Sequence, residues 1–266
     1  MELLRFLDPT LEQLLIFAAI VTRVGGLIAT APVLGASYAP MRIKAFLAVA
    51  ISLMLTPVFW EYDFPMPGNT AALFVVMIGE LLIGLSLGLG IKILFAGVQI
   101  TGQLLGQIGG LSIADVFNPA FDDNVPMLSI VFDLVVLAVF LVIGGHRFLM
   151  AALLSTFTEI PPGIAAVDVN IVSVIRETLS TSLVLGVQAA APGTVALLIG
   201  VLVMGVISRT LPQLNLMAIG FSLNTMLLMA FIMLTIGSVV WIFQDSVEPT
   251  VDKIRAMFHT IQVAAK

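Results

Sequence analysis

Cysteine is absent from all 266 residues. That excludes a disulfide framework, a thiol nucleophile and a cysteine-ligated metal. Histidine is almost as scarce: His146 and His259 are the two, and neither sits at a metal-ligand spacing. Charge is thin as well. Asp, Glu, Lys and Arg make up 10% of the chain, against about 25% in a soluble domain. The net charge is −5, so no basic surface for nucleic acid is on offer. There is no H-E-x-x-H and no Walker A loop, so neither a zinc protease helix nor a built-in ATP motor is expected. No cofactor and no enzymatic activity are expected.

What is present is apolar. Hydrophobic residues make up 60% of the sequence, enough for roughly five to seven spans of about 20 residues. The fold class that follows is all-α: a polytopic membrane protein of long, kinked helices and helical hairpins. The leading region carries Glu2, Asp8 and Glu12 against Arg5 alone, where a cleavable signal needs positive charge. The first span, Leu11 to Leu34, is therefore expected to stay as an anchor. Arg23 interrupts it, at roughly 2.5–3.5 kcal/mol on insertion scales. Either a carboxylate or helix C-terminus meets it inside protein, or it snorkels to a headgroup.

Pro32 to Lys44 reads as a turn on the cytoplasmic side, from Arg42 and Lys44. Ala45 to Trp60 reads as a second helix. The acidic, proline-rich stretch Glu61 to Asn69 suits the outer face. Thr70 to Ile100 is longer than a bilayer needs. Glu80 and Lys92 lie on it about 120° apart, so they are not a pair along one face and each needs a partner elsewhere. Met127 to Ile143, carrying Asp133, and Phe148 to Phe157 read as a helix and a short return arm, closed by Pro161-Pro162-Gly163. Ile171 to Ser208 should bend at Ala191-Pro192-Gly193. Pro212 to Asn215 is a tight polar tip before Leu216 to Phe243, and Asp245 to Lys266 reads as a separate amphipathic segment. Composition shifts near Asp168, which divides the chain into 1–167 and 168–266.

The most informative stretch is Gln99 to Pro126. Gln99, Gln103 and Gln107 recur every four residues, and so do Gly102, Gly106 and Gly110. On a helix this sets a row of amides beside a row of bare backbone, a face that either packs a neighbouring backbone closely or looks into water. A polar loop follows, with Phe117, Asn118, Pro119 and Phe121 among aspartates. Irregular backbone of this kind survives at membrane depth only inside protein or lining a cavity. The isolated charges Arg23, Glu80, Lys92 and Asp133 are also compatible with a small-molecule secondary transporter that binds its substrate near the midplane.

Taken in order, Arg23 with Pro32, Pro40 and Arg42, then Gly102 to Gly110 leading into Phe117-Asn118-Pro119, then Gly145-His146, Pro161 to Gly163, Ala191-Pro192, and Pro212-Gln213-Leu214-Asn215 before Ile219-Gly220-Phe221 resemble the FliR/SctT family of type III export gates. Each motif is weak alone; their order along nearly the whole chain is specific. The resemblance implies a core subunit of the flagellar export gate in the bacterial inner membrane, at the flagellar basal body. FliP and FliQ would be its partners in a helical assembly, with FlhB and FlhA nearby and unfolded exported proteins as cargo. It implies a FliP-like part over 1–167 and a FliQ-like hairpin over 168–266. It also implies that the loop at about 110–124 plugs the channel, with Phe117, Asn118, Pro119 and Phe121 as the stopper. Many relatives carry Asp-Pro where this chain has Asn118-Pro119, so a charge at that spot is not expected to act. Pro212, Gln213 and Asn215 would lie toward the cytoplasmic entrance, near FlhB.

Overall fold

The computed structural model describes residues 10–33, 40–60, 62, 64–66, 68–111, 126–164, 170–210 and 216–264. Among them there is no strand. The helices are α1 (Leu11–Thr30), α2 (Met41–Leu55, continued by a 3-10 turn at Thr56–Phe59), α3 (Thr70–Ile108), α4 (Met127–Val142), α5 (Gly145–Glu159), α6 (Asn170–Thr210) and α7 (Leu216–Ala264). Five stretches are long and apolar enough to cross a membrane, and α4 with α5 supply a sixth if that broken pair counts as one span. The chain is an all-α polytopic membrane protein.

Local sequence sets the helix ends. α1 opens on a capping box: the Gln13 amide N–H donates to Thr10 Oγ1, and the Thr10 amide N–H donates to Gln13 Oε1. Pro40 and Pro126 precede α2 and α4, where a missing N–H costs nothing. Gly144 separates α4 from α5 in the left-handed region, at φ 75°, which a residue with a side chain rarely adopts.

The chain forms two compact units. The first comprises Met1–Lys92, Gly144–Glu177 and Glu248–Lys266. Its centre is the crossing of α1 and α3, where glycines let backbone touch backbone. A Cβ on Gly84 would lie 2.0 Å from the Arg23 carbonyl oxygen, and one on Gly26 would lie 2.8 Å from that of Leu81. This is the small-residue packing by which membrane helices associate without a hydrophobic driving force between them. α2 leans on α1 but buries only Ala48 and Ser52, leaving Met41, Phe46 and Met54 exposed. The end of α7 joins this unit through Ile254 against Gly90. Two ion pairs add to it, Lys253–Glu177 at 3.0 Å and Arg255–Glu159 at 3.5 Å.

The second unit comprises Ile93–Ile143 and Thr178–Val247. Gly97 and Gly186 press α3 against α6, with a Cβ on Gly186 falling 2.2 Å from the Gly97 carbonyl oxygen. Thr101 Oγ1 donates to the Gly186 carbonyl at 2.9 Å, and Ser182 Oγ donates to that of Ile93. Phe95 stands edge-on to both Phe140 and Phe243, with centroids 5.7 and 5.1 Å apart, a favoured aromatic arrangement.

Two sequence expectations, on α7 and on the return arm, meet a different outcome. The run expected to bend at Ala191-Pro192-Gly193 has no loop there: α6 is helical for 41 residues through Pro192. Proline removes one hydrogen bond, but the flanking residues are packed: Ala190 is buried, and Leu105 fills the space beside Gly193. α7 runs for 49 residues through Pro249, so the polar terminal segment is not a separate element. The shift from Phe243 to Gln244 changes the surface chemistry without supplying a helix stop. The return arm is also longer than Phe148 to Phe157, at Gly145–Glu159.

Candidate functional site

Arg23 and Glu80 are both fully buried, and Arg23 Nε lies 2.6 Å from Glu80 Oε2. The same guanidinium donates through Nη1 to Thr156 Oγ1 at 3.2 Å and to the Ile160 carbonyl at 3.0 Å, and it sits 4.3 Å over the Phe157 ring. Glu80 Oε1 accepts the Gly163 amide N–H at 2.9 Å. One buried ion pair thus ties α1, α3, the end of α5 and the Pro161–Gly163 turn together. Gly163 holds φ 94°, and a Cβ there would collide with the Phe64 ring. Arg23 Nη2 has no partner among the described residues. Lys92, on another side of α3, is exposed. Asp133 is half-buried and accepts from Gln99 Nε2 at 2.8 Å. Of the four isolated charges, expected from the sequence to be buried, Arg23 and Glu80 are fully buried within this chain, whereas Lys92 and Asp133 are not. The 120° offset between Glu80 and Lys92 turns the lysine away from the node.

The second half of α3 shows how the amide and glycine rows are used. The glycine side packs on α4: a Cβ on Gly102 would lie 2.7 Å from Ser129 Cα, and Gly106 faces Leu128. Ser129 Oγ donates to the Gln99 carbonyl at 2.9 Å. Gln99 is spent on Asp133, but Gln103 and Gln107 are exposed. The surface of α3 changes chemistry along its length. From Thr70 to Leu81 it exposes Phe74, Val75, Ile78 and Leu81. From Leu82 to Ile108 its exposed residues are Lys92, Ala96, Gln103 and Gln107 alone. An amide with no hydrogen-bond partner in hydrocarbon costs about 4–8 kcal/mol, so this second face does not suit lipid.

α3 ends in a Schellman motif. The Leu111 amide N–H donates to the Gly106 carbonyl and that of Gly110 to Gln107, with Gly110 at φ 82°. Gly109 N–H serves Leu105, and Asn224 Nδ2 of α7 reaches the Ile108 carbonyl at 3.0 Å. The last four carbonyls therefore all have donors, three from the chain's own turn and one from another helix.

A sequence profile described as "Bacterial export proteins, family 1" matches residues 14–250. The chain belongs to this family, the FliR/SctT export proteins. It is 33% identical over 202 residues to the flagellar biosynthetic protein FliR of Escherichia coli, covering 76% of this chain and 77% of that one. To the FliR of Caulobacter vibrioides it is 26% identical over 244 residues, 91% of this chain and 97% of the other. The secretion system apparatus protein SsaT of Salmonella typhimurium is 21% identical over 189 residues, 70% and 73% of the two chains.

The candidate site residues named from the sequence, from Arg23 to Asn215, fall inside the family match. Phe117, Asn118, Pro119 and Phe121, and likewise Pro212, Gln213 and Asn215, lie outside the described residues. Residues 84–88 spell G-x-S-x-G, a formal nucleophile pattern. That chemistry needs the serine on a strand-to-helix turn, whereas Ser86 is buried mid-helix and donates to the Ile83 carbonyl at 2.8 Å. Its two glycines pack α1. Among the described residues, no three His, Asp or Glu side chains gather to hold a metal ion. Sequence reasoning missed Thr156 and Asn224, whose roles are tertiary and leave no local signal; it marked the Pro161–Gly163 turn but not its hydrogen bond to Glu80.

Proposed function

We propose that this export-family chain is a non-enzymatic core subunit of the flagellar type III protein export gate in the bacterial inner membrane, at the basal body. In this reading it assembles with FliP and FliQ, near FlhB and FlhA, and forms part of the entrance through which unfolded proteins leave. Residues 1–167 act as the FliP-like part and 168–266 as the FliQ-like hairpin. The loop 110–124 stops the channel in the resting state, with Phe117, Asn118, Pro119 and Phe121 as its obstruction. Pro212, Gln213 and Asn215 meet FlhB.

The family match across residues 14–250 carries this reading. A physical observation supports it: in the most apolar windows of α2 and of α6, only 17% of the residues are buried within the chain. Such helices leave broad faces for neighbours. The transporter alternative depends on free charges at mid-membrane. Arg23 and Glu80 neutralise each other, and Asp133 is engaged by Gln99, which weighs against it.

Gentle extraction followed by native mass analysis tests the assignment. A mixed complex with two other small membrane proteins is expected; a functional monomer would reject it. Removing 110–124 should raise ion leakage through the assembled complex, and unchanged conductance would reject the plug. Photocrosslinkers at Gln213 and Asn215 should capture FlhB, and capture of FliP or FliQ alone would reject that contact.

A further inference from the structure

We infer that the exposed amide face of α3, Gln103 and Gln107 with Ala96, is a contact surface for the backbone of an extended polypeptide in transit. This deepens the export-gate reading and rests on it. Three observations lead there. The exposed part of this half-helix carries no large apolar side chain, although the first half of the same helix exposes Phe74, Val75, Ile78 and Leu81. Within the chain Gln99 is engaged by Asp133, and Ser129 occupies the Gln99 carbonyl, which leaves the next two amides presented outward. The glycine row beside them is consumed by packing against α4, so the amide row is not a by-product of an unfilled glycine groove.

The chemistry selects the occupant. A primary amide offers two donors and an oxygen acceptor, the complement of one peptide group. It is neutral, so it neither attracts nor traps a charged side chain. Residues four apart on a helix are separated by about 6.0 Å along the axis, and two residues of an extended chain span about 6.6 Å. Gln103 and Gln107 can therefore meet every second peptide group of a strand lying along α3. Ala96, seven residues before Gln103, keeps the approach open. Such contacts read backbone and ignore sequence, as a conduit for many different proteins requires.

The absence of cysteine makes the test clean, since each engineered thiol is the only one in this chain. Variants Gln103→Cys, Gln107→Cys, Phe74→Cys and Ile78→Cys are assembled into the full complex and exposed to a charged methanethiosulfonate reagent or to a lipid-soluble maleimide. Positions 103 and 107 should react with the charged reagent, and 74 and 78 with the lipid-soluble one alone. Benzophenone side chains at 103, 107 and 78 are then illuminated with an unfolded polypeptide lodged in the complex by a tightly folded domain at its end. Adducts from 103 and 107 to the lodged chain, scattered along its sequence and absent from 78, are the expected result. Adducts to a neighbouring subunit alone, with or without cargo, would overturn the inference in favour of a packing seam while leaving the gate assignment intact. Labelling at 103 and 107 by the lipid-soluble reagent alone would overturn it too. A chain that assembles with no export partners and lodges no polypeptide would remove the gate assignment itself, and this inference with it.

Discussion

Replacing Glu80 with glutamine separates charge from shape at the buried node. The side chain keeps its length, and its remaining carbonyl oxygen can still accept the Gly163 amide N–H. The new NH₂ group, however, would face Arg23 Nε at the position where a carboxylate oxygen now lies 2.6 Å away. Arg23 is fully buried and has one nitrogen without a partner among the described residues. Breaking a buried pair by neutralising one member costs roughly 3–5 kcal/mol, because the other charge stays uncompensated. Glu80→Gln should therefore destabilise the first unit by about that much. Removing both charges with Arg23→Met and Glu80→Met should cost far less, since a well-packed apolar replacement of a buried pair is often neutral. The double variant does lose the cation–π contact with Phe157, about 0.5–2 kcal/mol. Thermal melting of the purified assembled complex, read for wild type, both single Met variants and the double variant, gives the coupling energy. It should exceed about 2 kcal/mol. If the double variant is as unstable as the sum of the singles, the pair is not the clamp described here.

Gly84→Ala should destabilise by more than about 1 kcal/mol, although alanine is the better helix former by about that amount. The reason is the Arg23 carbonyl oxygen 2.0 Å from the new Cβ; Gly25→Ala, with nothing within 4 Å, should be neutral or slightly stabilising in the same melting assay. Gly110→Ala forces a side chain into the left-handed region at φ 82° and should cost about 1–2 kcal/mol, seen as faster amide exchange at Gly110 and Leu111. Asn224→Leu leaves the Ile108 carbonyl without its donor and should cost roughly 1–3 kcal/mol; Asn224→Gln, if it can re-form the bond, should recover part of that in the same measurement.

The sequence and the fold meet unevenly, and the reason is physical. Spacing along one helix is fixed by 3.6 residues per turn, so the separation of Glu80 from Lys92 and the side-by-side amide and glycine rows can be read without a structure. What lies opposite each row cannot. Arg23 and Glu80 are 57 residues apart, and Arg23 and Ile160 are 137 apart; no local pattern couples them. The proline positions show the converse. Pro192 and Pro249 are conspicuous in the sequence, yet helices continue through both. A lost hydrogen bond costs a helix interior about 3 kcal/mol in isolation, but packing on the flanking turns offsets it, and packing depends on neighbours hundreds of ångströms of chain contour away. Asn224 makes the same point at the end of α3. The glycine at position 110 announces a helix stop: its own N–H serves the Gln107 carbonyl, and its left-handed turn brings the Leu111 N–H to that of Gly106. The Ile108 carbonyl is met only because α7 presents an amide there. A polar side chain in an apolar helix marks a debt to some partner, and only the fold names the creditor: for Asn224 and Glu80 it lies within this chain, whereas Gln103 and Gln107 still face outward with theirs to be supplied.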